Sequence, residues 1–443
     1  MSQQSKFKQT EIGMIPEDWE LIKLKNYLKI SPRNGVYKGK ENQRKGIDIV
    51  KMGTLFSSFF IDDQDMEKFG LDQKEKRIFL LEKDDLVFAR TSLILEGVGK
   101  CAIVDTDSRE IAFESNTFRI RLDNNKINPK YILYFFRSRV GRHFIDAIAS
   151  QTAATSIKSS DLVNISLPIP KKSEQDKVAQ VLYNLDTRIK ILKQMNKTIE
   201  AIGQALFKHW FVDFEFPNEE GKPYKSSGGE MVFNEELGKE IPRGWAVKEL
   251  KEIVSQLKPG TNYQPKRVKE GVPFVNVKNI VNGFLNLNDV KKITEEEYKR
   301  VHKAWIPEKH DILITRIGTL GNVGIIRKKD LPVAVHYNNI DIKAKMTSCQ
   351  FIYFFLKSKE FQKMYHLKKK QSVQEYVTIE EVETIKVILP NNTKLLKNLE
   401  KEFISLLNKI ELNANNIESL QKTRDSLLPK LMSGKIIVPI EVE

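Results

Sequence analysis

Cysteine is almost absent: Cys101 and Cys349 are the only two in 443 residues. That excludes a disulfide framework and a four-thiolate zinc site, and it suits a reducing cytosol. Long apolar runs are missing as well. No stretch of about 18 uncharged apolar residues occurs, so no membrane span is expected. The opening segment MSQQSKFKQTEIG has no apolar core and does not read as a signal peptide. The six histidines, His143, His209, His302, His310, His336 and His366, form no H-E-x-x-H pair and have no cysteine at zinc-ligand spacing. His302 and His310 are expected at the surface. The phosphate loop G-x-x-x-x-G-K-[ST] is missing too, so Gly97-Val98-Gly99-Lys100 and Gly321-x-x-Gly324 are expected to be turns.

What is present is charge, and mostly of one sign. Lys plus Arg number 73 against 58 Asp plus Glu, a formal net charge of +15, in a chain that is 40% hydrophobic and 30% charged. This is the composition of a globular protein with a polyanionic partner. The length allows two or three domains.

An internal repeat organises the chain. Ile15-Pro16-x-x-Trp19 followed by Leu24 recurs as Ile241-Pro242-x-x-Trp245 followed by Leu250, and Asp85-Leu86 with Arg90 recurs as Asp311-Ile312 with Arg316, each at an offset of 226 (242 − 16). Further on, Tyr131-Ile132, Phe135 and Ser138 match Phe351-Ile352, Phe355 and Ser358. Gln151, Ile157, Leu162, Ile165 and Pro170 match Gln371, Val377, Val382, Ile385 and Pro390, now at an offset of 220 (390 − 170). One six-residue deletion in a loop of the second copy would account for the change. The tryptophans, beside Ile-Pro, are expected in the domain cores.

Each copy ends in a segment with heptad spacing. Val178, Leu185, Leu192, Ile199 and Leu206 stand seven apart, as do Leu182, Ile189, Asn196, Gly203 and Trp210. In the second copy the rows are Leu399, Leu406, Asn413, Leu420, Leu427 and Phe403, Ile410, Ile417, Arg424, Leu431. Such spacing predicts a coiled-coil seam, with Asn196 and Asn413 each interrupting it once, a device that fixes register; packing of each helix on its own domain is the plainer alternative. The expected order is domain 1–170, helix 171–215, linker 216–235, domain 236–390, and helix with tail 391–443. Between Phe216 and the second domain, Pro, Gly and Ser crowd together without apolar period. The simplest closed arrangement is a pseudo-twofold with the helices antiparallel, one chain imitating a dimer. Within each domain, IDIVKM, RIFLL, DLVFAR, CAIV and TFRIRL, and then PFVNVKNI, DILITR, VGIIRK and NNIDIKAK, have strand length and β-branched content. YILYFFRS and QFIYFFLKS read as short helices. The fold class expected is α+β, two similar mixed α/β domains with much antiparallel pairing.

The run LPIPKKSEQDKVAQVLYNLDTRIKILKQMNKTIEAIGQALFKHWFVDFEF followed by GKPYKSSGGEMVFNEELGKEIPRGW combines a Pro-bounded helix start, a long spacer helix, a Trp-Phe-x-x-Phe exit and the re-entry Ile-Pro-x-x-Trp. In these features, and over nearly its full length, the chain resembles the DNA-specificity subunits of type I restriction-modification systems. The resemblance implies two target-recognition domains joined by two long helices, a bipartite double-stranded DNA target and no catalytic centre. It also implies two methyltransferase subunits and further restriction subunits as partners, in the cytoplasm. S-adenosylmethionine, ATP and magnesium would be bound by those partners and none by this chain. The charge agrees, because Lys and Arg supply the sequence-blind, salt-sensitive part of DNA binding. A helix of about 35 residues spans roughly 50 Å, against about 34 Å for a turn of B-DNA, enough for two separate half-sites.

Arg90 with Thr91 and Ser92, and Arg316 with Thr319, follow strands in equivalent places and are candidate DNA contacts. The alternative for each arginine is an ion pair to Asp85 or Asp311. Gln151, Thr152 and Lys158 lie in one polar loop and Lys369, Lys370 and Gln371 in its counterpart. The alternative for the run Lys368–Lys370 is a solvated face; Lys51, Lys278 and Asn279 follow strands in equivalent positions and are weaker candidates, more simply surface residues than base readers. The seam residues expected to meet are Leu182, Leu185, Ile189, Leu192, Asn196, Ile199, Phe403, Leu406, Ile410, Asn413, Ile417 and Leu420. The Asn-Pro-Pro-aromatic motif of amino-methyltransferases is missing. Two other readings stay open, a self-contained nuclease and a coiled-coil protein adaptor.

Overall fold

The computed structural model describes residues 6–37, 43–151, 155–370, 375–436 and 438. Two compact units emerge, one formed by 1–191 with 416–443, the other by 192–415.

The first unit is built on a five-stranded sheet in the order Leu28–Asn34, Thr117–Leu122, Leu86–Ala89, Cys101–Val104, Phe60–Ile61, antiparallel except for its last, parallel pair. A smaller sheet joins Ile111–Phe113, Gln43–Val50 and Glu67–Phe69. The runs LVFA and CAIV are apolar throughout because both faces of the sheet are covered. Side chains alternate between faces, so Leu86, Phe88, Cys101 and Ile103 enter one core while Val87, Ala89, Ala102 and Val104 enter another. The first of these cores also receives the helix Pro129–Arg137, started by Asn128, whose side chain accepts from the Tyr131 N–H.

The second unit repeats this plan strand for strand: Val254–Pro259, Asn339–Ala344, Ile312–Thr315, Val323–Ile325, Phe284–Leu285, with Ile280–Val281 added at the edge. Its smaller sheet runs Ala334–Val335, Val272–Val275, Lys292–Ile293, Arg267–Val268. The correspondence reaches single hydrogen bonds. The turn before the central strand is closed by Asp85, which accepts from the Glu82 N–H at 2.7 Å, and by Asp311, which accepts from the Glu308 N–H at 2.7 Å. The residue before each, Asp84 and His310, takes positive φ, 68° and 74°. Ser138 and Ser358 are buried helix junctions whose hydroxyls donate to Phe135 O and Phe355 O and accept from Gly141 N and Phe361 N. Trp19 and Trp245 are buried as expected.

Three sequence expectations need correcting. The offset of 226 does not fall in one step. Cys101–Val104 corresponds to Val323–Ile325 at an offset of 222, and the offset reaches 220 at the helices starting at Pro129 and Cys349, so four residues leave one loop and two another. RIFLL is no strand: Gln73–Phe79 is helical, because Asp72 and Glu75 form a capping box. Within the expected linker 216–235, Phe216 stacks on Tyr224 and the strand Met231–Asn234 pairs with Lys239–Pro242. His302 is buried in the core at 3% exposure. Its Nε2 accepts from Val335 N at 3.2 Å and its Nδ1 faces Trp305 O at 3.1 Å, and burial pushes its pKa down to about 4. It is a neutral, satisfied histidine.

The two long helices, Lys172–Phe211 and Thr393–Met432, each contribute to both units. In the first unit Val178 and Leu182 share a core with Leu428, Leu431 and Met432, and Arg424 pairs with Asp186. In the second, Phe207 and Phe211 meet Phe403, and Asn413 Nδ2 donates to Asn196 Oδ1 at 2.8 Å. Ascending numbers on one helix meet descending numbers on the other, so the pairing is antiparallel in each unit. Every seam residue named from the sequence is buried or half-buried. The two asparagines that interrupt the apolar rows meet each other, and Asn196 Nδ2 also donates to Ile410 O at 3.1 Å. A Cβ on Gly203 would lie 2.1 Å from the Phe354 ring, so glycine there lets the helix approach its domain closely. The helices thus serve both as a mutual pair and as walls of the domain cores.

Candidate nucleic-acid interface

The two candidate arginines hold the same place in their units. Arg90 N donates to Asn116 O and Arg90 O accepts from Ile157 N. Arg316 N donates to Asn338 O and Arg316 O accepts from Val377 N. Neither pairs with the aspartate suggested by the sequence. Asp85 is bonded instead to Arg121, and Asp311 lies 3.9 Å from Lys343. The Arg90 guanidinium reaches Ser115 O at 3.4 Å and that of Arg316 reaches Val377 O at 3.1 Å. Both are half-buried, each with donors to spare.

Around Arg90 the strand Thr91–Ser92 pairs with Thr155–Ser156, which pairs with Ser150–Gln151. Thr91, Ser92 and exposed Lys158 are therefore brought beside Arg90, and the backbone of Gln151 joins the same small sheet. Thr152 and Gln371 lie outside the described residues. Around Arg316, Ile317 and Lys370 both bridge to Tyr376. Lys369 pairs with Glu375 at 2.7 Å and Lys370 with Glu381 at 3.5 Å; both lysines are exposed, and such surface pairs contribute little to stability. Lys278 and Thr319 converge on one open cleft of about 390 Å³, lined also by Asn276, Val277, Ile280 and Asn322. Asn279 does not join them. It is 6% exposed and closes a turn, accepting from Asn276 N at 3.0 Å. Lys51 is half-buried, 2.5 Å from Glu67 and over the Phe69 ring.

The acidic groups beneath these loops are structural. Burial raises the Asp85 pKa against the opposing pull of Arg121. In the second unit Lys343 takes the place of Arg121, and Asp341 that of Arg119. Asp341 is fully buried, with its Oδ1 accepting from Gln256 Nε2 at 2.7 Å; burial and then the neighbouring Asp311 carboxylate push its pKa well up. Asp311 is raised to about 6, chiefly by burial, despite the Glu308 N–H bond and Lys343, and with Glu308 adding repulsion. Carboxyls that hold their protons more tightly folded than unfolded stabilise fully below about pH 4, and that contribution is lost as pH rises through about 6. Unfolding of the second unit is therefore expected to become easier between about pH 4 and pH 7. Asp341→Asn keeps an acceptor for Gln256 and removes the like charge, so it should flatten this dependence. Denaturant midpoints across pH check it, and equal slopes for both proteins would contradict the assignment.

Among the described residues no group of three or more His, Cys, Asp or Glu is placed to hold a metal ion, and no helix is long and apolar enough to cross a membrane. Burial pushes the thiols of Cys101 and Cys349 each up to about 11, which leaves them un-ionised near neutrality. The site offers cations, amides and hydroxyls on loops at the ends of strands. Sequence reasoning missed Asn276 and Asn322, whose only signal was their closeness to Lys278 and Thr319 once folded.

Comparison with known proteins accords with this geometry. The family model "Type I restriction modification DNA specificity domain" matches twice, at residues 16–201 and 242–427. The MjaIX type I restriction enzyme specificity subunit of Methanocaldococcus jannaschii is 27% identical over 444 residues, covering 98% of this chain and 97% of the relative. The HindI specificity subunit of Haemophilus influenzae is 24% identical over 412 residues, covering 80% and 87%. In fold, the chain is similar to the crystal structure of the type I restriction-modification S subunit from M. genitalium, with a TM-score of 0.57, 18% identity and coverage of 99% and 100%. Matched twice by one family model, at the two copies of its internal repeat, the chain belongs to the type I restriction-modification DNA specificity domain family.

Proposed function

We propose that this chain is the specificity subunit of a type I restriction-modification complex that reads a bipartite duplex, one half by each recognition domain, 1–170 and 236–390. It directs methyltransferase and restriction subunits to that target and performs no chemistry itself. Two methyltransferase copies fit a chain with two like domains, and S-adenosylmethionine, ATP and magnesium belong to the partners. The cytoplasm is the compartment such a complex needs. The observation that carries the reading is the repetition of one framework, down to the hydrogen bonds of Arg90 and Arg316, with loops that differ between the copies. A shared arginine cannot distinguish two half-sites, so Arg90, Arg316, Lys158, Lys369 and Lys370 are assigned to phosphates, along with Lys51. Base reading belongs to the loops that differ.

The competing reading as a nuclease is separated by incubating the purified chain alone with supercoiled plasmid and Mg²⁺. No nicking is expected, and DNA retention should weaken steeply as salt rises. Cleavage without partners would refute the proposal, and a chain that retains no DNA at any salt would favour the protein-adaptor reading.

A further inference from the structure

In both units two loops meet near the repeated arginine, yet their chemistry is opposite. In the first unit these are the segment carrying the helix Met52–Ser57 and the loop between Ser92 and Cys101. A Cβ on Gly97 would lie 2.1 Å from Ser92 Oγ and 3.1 Å from the Phe56 ring, so the loops touch. In the second unit the matching loops, 276–280 and 317–322, line the one cleft that holds Lys278 and Thr319. The first unit's second loop is the place where it has four residues more than its counterpart, and those residues carry an apolar tip. Leu93 is 92% exposed and Ile94 60%, with Phe56 at 42% nearby.

A single exposed leucine needs no explanation. This tip differs because hydrogen bonds within its loop and from Arg142 brace the backbone on either side of it. Ser92 Oγ accepts from Ile94 N at 3.2 Å, Gly97 N donates to Ile94 O at 3.1 Å, and Arg142 donates to Val98 O and Leu95 O at 2.6 and 3.1 Å. Lys100 lies over Phe56 at 4.5 Å, and burial, then Arg137 and Arg142, hold its ammonium below its ordinary pKa against the exposed Glu96 of the same loop; Arg142 itself is paired with Asp146. An exposed apolar point with an ammonium, that of Lys100, at its base suits a base step or a thymine methyl behind a phosphate backbone. In the second unit the same place offers hydrogen bonds. The Val277 N–H occupies Asn276 Oδ1 at 2.7 Å, and the Asn276 amide nitrogen, the Thr319 hydroxyl and the Lys278 ammonium remain as donors for base edges.

Building on the function proposed above, we infer that these paired loops are the base-reading elements of the two domains. Leu93 and Ile94 read the first half-site by apolar contact, and Asn276 with Thr319 and Lys278 reads the second by hydrogen bonds. The test uses the full chain assembled with methyltransferase subunits and a pool of random duplex DNA from which bound sequences are recovered. Leu93→Ser with Ile94→Ser alters only exposed positions, and Asn276→Asp keeps the acceptor for Val277 while removing the amide donor. The serine pair should lower preference for the wild-type bases in one half by about tenfold or more, and Asn276→Asp should do so in the other half alone. Thermal midpoints close to wild type certify the fold of each variant. Unchanged base preferences in both variants, or a change by either in both halves, would overturn the inference while leaving the bipartite reading intact. A wild-type complex that selects no sequence at all would overturn that reading, and this inference with it.

Discussion

Exchanging residues 236–390, together with the strand Met231–Asn234 that pairs with Lys239–Pro242, for the matching segment of another family member is expected to rewrite one half of the DNA target and leave the other half unchanged. The physical ground is that each unit closes its own core. In the second unit Trp245–Glu249 pairs with Lys386–Pro390, so the exchanged segment carries both strands that join its beginning to its end. Each mismatched base pair costs about 1–3 kcal/mol, so a half-site changed at three positions should lose the original target by roughly a hundredfold or more. Selection from random duplexes measures this directly. A hybrid in which both halves change would contradict independent reading. Cutting at residue 236 and leaving Met231–Asn234 behind would split a hairpin, and poor folding of that version would say nothing about recognition.

Replacing Arg424 with alanine should destabilise the first unit by about 3 kcal/mol, the lower end of the range for breaking a buried ion pair. Arg424 Nη1 lies 2.6 Å from Asp186 Oδ1, and their side chains are 15% and 6% exposed. Tyr134, also buried, donates its hydroxyl to Asp186 Oδ2 at 2.8 Å. With the guanidinium gone, the carboxylate keeps the tyrosine and loses its paired counter-charge, and of the two guanidinium groups over the Phe59 ring only that of Arg137 remains. The penalty belongs chiefly to the stranded charge rather than to the pair itself. Adding Asp186→Asn to Arg424→Ala should therefore recover much of the loss, although each change alone is harmful. Denaturant unfolding of the three variants tests it, and an Arg424→Ala loss under about 0.5 kcal/mol would mean that the pair behaves as a surface one.

Arg424 shows both what the sequence reveals and what it hides. Its place in a seven-residue row was readable, because the helical period is a local property of the chain. That it meets Asp186, or that Asn196 meets Asn413, depends on which helix lies opposite and in what register, which a single row does not contain. The repeat was legible because duplicated positions keep duplicated roles, as with Asp85 and Asp311 or Ser138 and Ser358. In RIFLL the four apolar residues after Arg77 fit a strand as well as a helix end. The Asp72-x-x-Glu75 box was the signal that decided it. Asn279 looked like a contact and His302 like a surface residue for one reason: a polar side chain with all its partners inside the fold resembles a free one when those partners are distant in sequence. The exposed Leu93 and Ile94 drew no attention, since apolar residues are expected inside.

The most direct test of a two-part reader is the genome-wide pattern of methylated adenines in cells that carry this chain with its methyltransferase partner. The account predicts one motif made of two short specified blocks separated by a fixed number of unread base pairs, lost when this chain is deleted. An uninterrupted motif, or a pattern that persists unchanged without the chain, would contradict it.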